Sequence, residues 1–97
     1  MLYAIIGTDV EGSLEKRAVA RPAHLERLDA LKEDGRLILA GPFPGIDCMD
    51  AGAVTGSLIV AEFDSIEAAR QWANDDPYVL EGVFKGVDVK PFRKVLP

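Results

Sequence analysis

The chain has 97 residues, enough for one domain with its own core and too few for two. A net charge of −5 argues against nucleic acid or an anionic membrane surface as partner, since each calls for a clustered basic face. No apolar run approaches the roughly 20 residues that cross a bilayer. The 48% hydrophobic and 28% charged fractions are ordinary for a globular domain.

The opening MLYAIIGTDVEG lacks a basic n-region and a small-residue cleavage site, so it reads as a first strand rather than a leader. Residues 2–8 are apolar on both sides, as in a strand buried on both faces. A polar turn, DVEGS, follows, and residues 13–20 read as a loop or short helical turn. The main helix is expected from Pro22, which suits a first turn, to Asp34, with Gly35 as its left-handed cap. Leu25, Leu28 and Leu31 form its apolar stripe, and Glu26, Asp29 and Glu33 its solvated side. His24, the only histidine, stands one turn before Leu28 and so on the buried side.

A second strand, RLILAG, should stop near Gly41, because Pro42 and Pro44 cannot donate to a ladder. The segment GIDCMDAGA reads as a loop. Its Cys48 is the only cysteine, so it makes no internal disulfide and fits a reducing cytoplasm. Residues 54–63 are the third strand. A helix follows, with Asp64 and Glu67 as its capping box and Ile66, Ala69, Trp72 and Ala73 as its apolar side. Asn74-Asp75-Asp76-Pro77 ends it, and Pro77 opens a short turn capped by Asp76. Residues 87–95 are the last strand.

The order β-α-β-β-α-β predicts an α+β, ferredoxin-like sandwich: a four-stranded antiparallel sheet with both helices on one face, as one domain spanning 1–97. Strands one and three are apolar on both sides, although a half-exposed sheet should alternate. Two helices cover one face, so a second copy is expected on the other, giving a homodimer.

The pattern SLEKR, RPAHLERL, GRL and AGP, followed by TGS, WANDDPY and VKPFRKV, closely resembles the YCII-related family over essentially the whole chain. The resemblance implies a dimeric α+β barrel, a fold shared with muconolactone isomerases and some monooxygenases. It also implies a site built on a histidine–aspartate pair, and one branch of the family is a dehydrochlorinase acting on a hydroxylated, chlorinated aromatic. Carried onto this sequence, the histidine is His24 in RPAHL and the aspartate is Asp76 in DDPY, with Asp75 able to exchange roles. The glycine-proline corner is Gly41-Pro42, and the TGS hydroxyl is Ser57.

Near a helix start His24 would feel the positive end of the dipole, which disfavours an imidazolium, whereas a neighbouring aspartate favours one. An aspartate on one ring nitrogen would leave the other to take a substrate proton. No serine or cysteine sits in a recognisable nucleophile elbow, so proton transfer is favoured over covalent catalysis. Arg17 and Arg21, four apart, could seat a carboxylate or enolate together with Ser57.

Each residue also has a plainer structural role. His24 would be a core histidine bonded to main chain, and Asp76 an ordinary cap. Arg17 would pair with Glu15 or Asp9, and Ser57 would be a small strand residue. With one histidine and one cysteine, a structural zinc site is set aside, and the leading reading calls for no metal and no cofactor. The leading reading is a cofactor-independent cytoplasmic enzyme doing acid–base isomerisation or elimination on a small anionic or phenolic cyclic compound. The alternative is a non-catalytic homodimer that binds a small metabolite or serves as an accessory subunit.

Overall fold

The computed structural model describes residues 1–46 and 53–97, so Cys48 and most of the loop expected around it lie outside the described residues. In chain order the elements are β1 (Leu2–Asp9), α1 (Leu14–Glu33), β2 (Leu37–Pro44), β3 (Val54–Glu62), α2 (Ile66–Asn74), α3 (Pro77–Leu80) and β4 (Phe84–Phe92). The strands form one antiparallel sheet in the order β2-β3-β1-β4, the ferredoxin-like arrangement. None of the described helices is long and apolar enough to cross a membrane.

Strand alternation divides the side chains between two faces. Tyr3 and Ile5 of β1 pair with Ala61 and Ile59 of β3. All four pack with Phe63 against Leu28 and Leu31 of α1 and Ala69 and Ala73 of α2. The residues between them belong to the other face. There Leu39, Phe43 and Phe92 are exposed, while Ile6 and Leu58 are half-buried. The doubly apolar strands therefore leave a partly open apolar surface opposite the helices.

The main helix begins at Leu14 rather than at Pro22, which lies inside it. A proline there removes one backbone hydrogen bond, to the carbonyl of Ala18. Both Pro22 and Ala18 are exposed, so water can serve that carbonyl and the helix continues. His24 consequently sits well inside α1, beyond the reach of the dipole at its first turn. The C-terminus is as expected. Gly35 adopts φ 72°, its N–H donates to Lys32 O at 3.0 Å, and Arg36 N–H reaches Leu31 O at 2.9 Å, a Schellman closure. Leu25, expected on the buried stripe, is 41% exposed; the buried side is Ala20, His24, Leu28 and Leu31.

Three other boundaries differ from expectation. β2 continues through Pro42 to Pro44 because it is an edge strand, where prolines two apart turn their missing donors to the same, outer side. Ser65, not Asp64, caps α2, its hydroxyl accepting from Ala68 N–H at 3.0 Å. β4 runs from Phe84 to Phe92 instead of from 87 to 95, because its partner β1 supplies pairing only between Asp9↔Phe84 and Leu2↔Phe92.

Candidate active site

A cleft of about 200 Å³ opens between α1 and the β2–β3 edge of the sheet. This is small for a ligand pocket, whose usual range starts near about 300 Å³, and it suits a single ring. Its apolar wall includes Leu25 and Leu28 of α1 and Ile59 of β3. Among the described residues its polar groups are Arg17, Arg21, His24, Ser57 and Tyr78, with no carboxylate. Gly41 and Pro42 form the β2 rim. A Cβ at Gly41 would meet nothing within 4 Å, so packing does not demand glycine there and the rim stays open.

His24 Nδ1 lies 2.8 Å from Asp76 Oδ1 and 3.0 Å from Oδ2, with both residues buried. An ionised carboxylate only accepts, so Nδ1 donates to it, and whenever the ring carries a single proton Nε2 is the acceptor. Asp76 is fixed independently as the cap of α3, where Oδ1 accepts Tyr78 N–H at 2.8 Å. Asp75 is turned away, its carboxylate accepting from Gln71 Nε2 at 3.1 and 3.0 Å on the surface.

The ring of Tyr78 stacks on that of His24, with centroids 3.8 Å apart and planes 8° from parallel. Phe84 meets Tyr78 edge-on at 5.5 Å. Phe84 in turn occupies the space a side chain at Gly7 would take, since a Cβ there would fall 2.5 Å from its ring. Burial pushes the Tyr78 phenol up from its ordinary value of 10.0; Arg17 and Arg21 oppose this and Asp76 adds to it.

Arg17 and Arg21, expected together as anion contacts, have different surroundings. Arg17 Nε and Nη2 grip Asp9 at 2.7 and 3.0 Å, and Nη2 also reaches Gly56 O at 3.2 Å. Ser13 Oγ donates to the same carboxylate at 2.6 Å, so it gives α1 no side-chain cap. Arg21 is exposed on the cleft and has no ion pair among the described residues. Ser57 is buried beneath the cleft. The Arg17–Asp9 pair is the plainer role expected for Arg17, whereas Tyr78 and Arg27, whose Nη1 stands 3.5 Å from Asp76 Oδ2, were not singled out from the sequence. The Asp-Pro-Tyr run was the available signal for Tyr78, because a cap at Asp76 fixes the residue two positions on.

The model of the YCII-related domain matches residues 1–93. The chain belongs to the YCII-related family. It is 56% identical over 97 residues to the protein YciI of Escherichia coli O6:H1, covering 98% of this chain and 99% of that one. An uncharacterized protein of Haemophilus influenzae is 45% identical over the same shares. Among solved structures, 5-chloro-2-hydroxyhydroquinone dehydrochlorinase (TftG) from Burkholderia phenoliruptrix, in complex with 2,5-dihydroxybenzoquinone, superposes with a TM-score of 0.85. It is 30% identical, over 96% of this chain and 94% of that one. This YCII-related chain therefore shares its fold with an enzyme that was solved holding a small ring.

Proposed function

We propose that this YCII-related protein is a cytoplasmic enzyme that performs acid–base chemistry on a small ring carrying acidic hydroxyl groups. His24 is the base and Asp76 orients it. The observation that carries this reading is the 2.8 Å bond from His24 Nδ1 to a buried carboxylate, made by a ring on the wall of a cleft that holds cations and, among the described residues, no acid. Nε2 takes the proton of a ring hydroxyl, and the O–H electron pair becomes a carbonyl. The displaced ring electrons bind a proton at a ring carbon, giving the keto isomer; where that carbon carries a halogen, loss of a second hydroxyl proton forms the second carbonyl and the C–halogen pair leaves as halide, giving elimination. Asp76 stabilises the imidazolium formed meanwhile. Arg21 and the Ser57 hydroxyl bind the developing oxyanion, Gly41-Pro42 frames the ring, and Arg17 adds positive charge at the wall. The bound ring of the dehydrochlorinase TftG supports a hydroxylated six-membered ring as the substrate class.

The test is turnover of a panel of hydroxylated and halogenated quinols, followed by absorbance and halide release. His24→Ala is expected to lower kcat by about 10²- to 10⁴-fold while leaving binding in place. Equal turnover by the variant overturns the reading. Binding without turnover of any panel member establishes the metabolite-binding alternative.

The exposed Leu39, Phe43 and Phe92 on the outer sheet face support a two-fold homodimer in which a second copy covers them. Light scattering at micromolar concentration should give twice the 10.5 kDa chain mass. A monomer would refute the pairing.

A further inference from the structure

Beside Asp76, on a residue outside the cleft lining, lies a polar atom without a hydrogen-bond partner among the described residues. Arg27 Nη1 is buried and makes no hydrogen bond among the described residues. It stands 3.5 Å from Asp76 Oδ2. The rest of the guanidinium is held firmly. Nη2 donates to Trp72 O at 2.8 Å, and the group lies over the Trp72 ring, its central carbon 4.2 Å from the centroid. Arg27 is not among the residues of the cleft wall. Its one acidic neighbour among the described residues is the carboxylate that holds His24.

A carboxylate bonded to a histidine favours the imidazolium, and an imidazolium cannot act as a base. A cation on the second oxygen of the same carboxylate weakens that pull. We propose that Arg27 is a positioning residue of the site: it shares Asp76 with His24, fixes the carboxylate at its second oxygen, and keeps the imidazole available as a proton acceptor. This rests on the acid–base reading above for its purpose, but not for its measurement.

The groups that set the charge on His24 are few. Asp76 and Tyr78 face it from α3, Arg17 and Arg21 from the preceding turns of α1, and Arg27 stands one turn on. β2 and β3 bring no titratable side chain to the cleft among the described residues. Asp9 is closed off by Arg17.

Because His24 is the only histidine, its ring proton resonance can be followed by NMR without ambiguity. In Arg27→Gln and Arg27→Met the His24 titration midpoint should move to higher pH, a gain in proton affinity on the order of threefold or more. Arg27→Lys, which keeps the charge, should stay near wild type, and Asp76→Asn should move the midpoint the other way. A midpoint unmoved in the neutral variants, even with a lowered Tm, marks Arg27 as structural only and overturns the proposal. Should neither neutral variant fold, the wild-type Arg27 side-chain N–H resonance decides. It should titrate together with His24, and a flat response overturns the proposal. If the acid–base reading fails instead, turnover is absent while the midpoint still moves, so the two failures are distinguishable.

Discussion

Asp9 and Asp76 are both buried carboxylates that hold a basic side chain of α1, yet they leave the molecule with different things. Asp9 sits at the end of β1 and accepts from Ser13 and from two nitrogens of Arg17. Little of that arrangement remains for a ligand: it ties the start of α1 to the sheet. Asp76 holds a ring with two nitrogens and engages only one, so the other is left over at the cleft. The difference lies in the partner. A guanidinium fork closes on a carboxylate with both prongs, whereas an imidazole gives one donor and keeps a second function on its far side. Burial and charge pairing alone therefore do not decide whether a pair leaves a polar atom for the cleft.

The sharpest way to break this contrast is Asp9→Ala. The Asp9 side chain is 1% exposed and that of Arg17 only 12%, so truncation strands a largely buried cation. A loss of about 3 kcal/mol is expected from urea unfolding. A loss below about 1 kcal/mol, the range of surface pairs, would show that Asp9 does not anchor α1 to the sheet.

A smaller effect concerns Tyr78, which both pairs flank through Arg17 and His24. Its phenol holds its proton more firmly in the folded protein than in the unfolded chain, where it titrates near 10.0. Below that pH both states are protonated and the contribution is complete. Above it the unfolded chain releases the proton first, so stability falls as pH rises, until Tyr78 ionises in the fold as well. The urea midpoint should drop more between pH 9 and 11 in wild type than in Tyr78→Phe. Equal drops would discharge Tyr78 from that role.

What the sequence disclosed was local. Asp-Pro marks a cap wherever it occurs, so the placement of Asp76 could be read from two adjacent residues. Gly35 marked the end of α1 in the same way. Pro22 misled because its tolerance depends on which side of the helix faces water, a tertiary fact. Pro42 and Pro44 misled likewise, since edge or centre is decided by strand order. Within the site, the proximity of His24 to Asp76 came from resemblance rather than from spacing. Arg27 and Tyr78 were hidden because their meaning arises only when α1 and α3 lie side by side.

The contact between Phe84 and the bare backbone at Gly7 carries a last implication. A methyl group on that strand would push the phenyl ring aside, Tyr78 would lose its lateral support, and the imidazole stacked on it would tilt. The angle of the imidazole is thus set two rings away, at a position with no side chain, where a change would disturb the cleft wall while touching none of its residues.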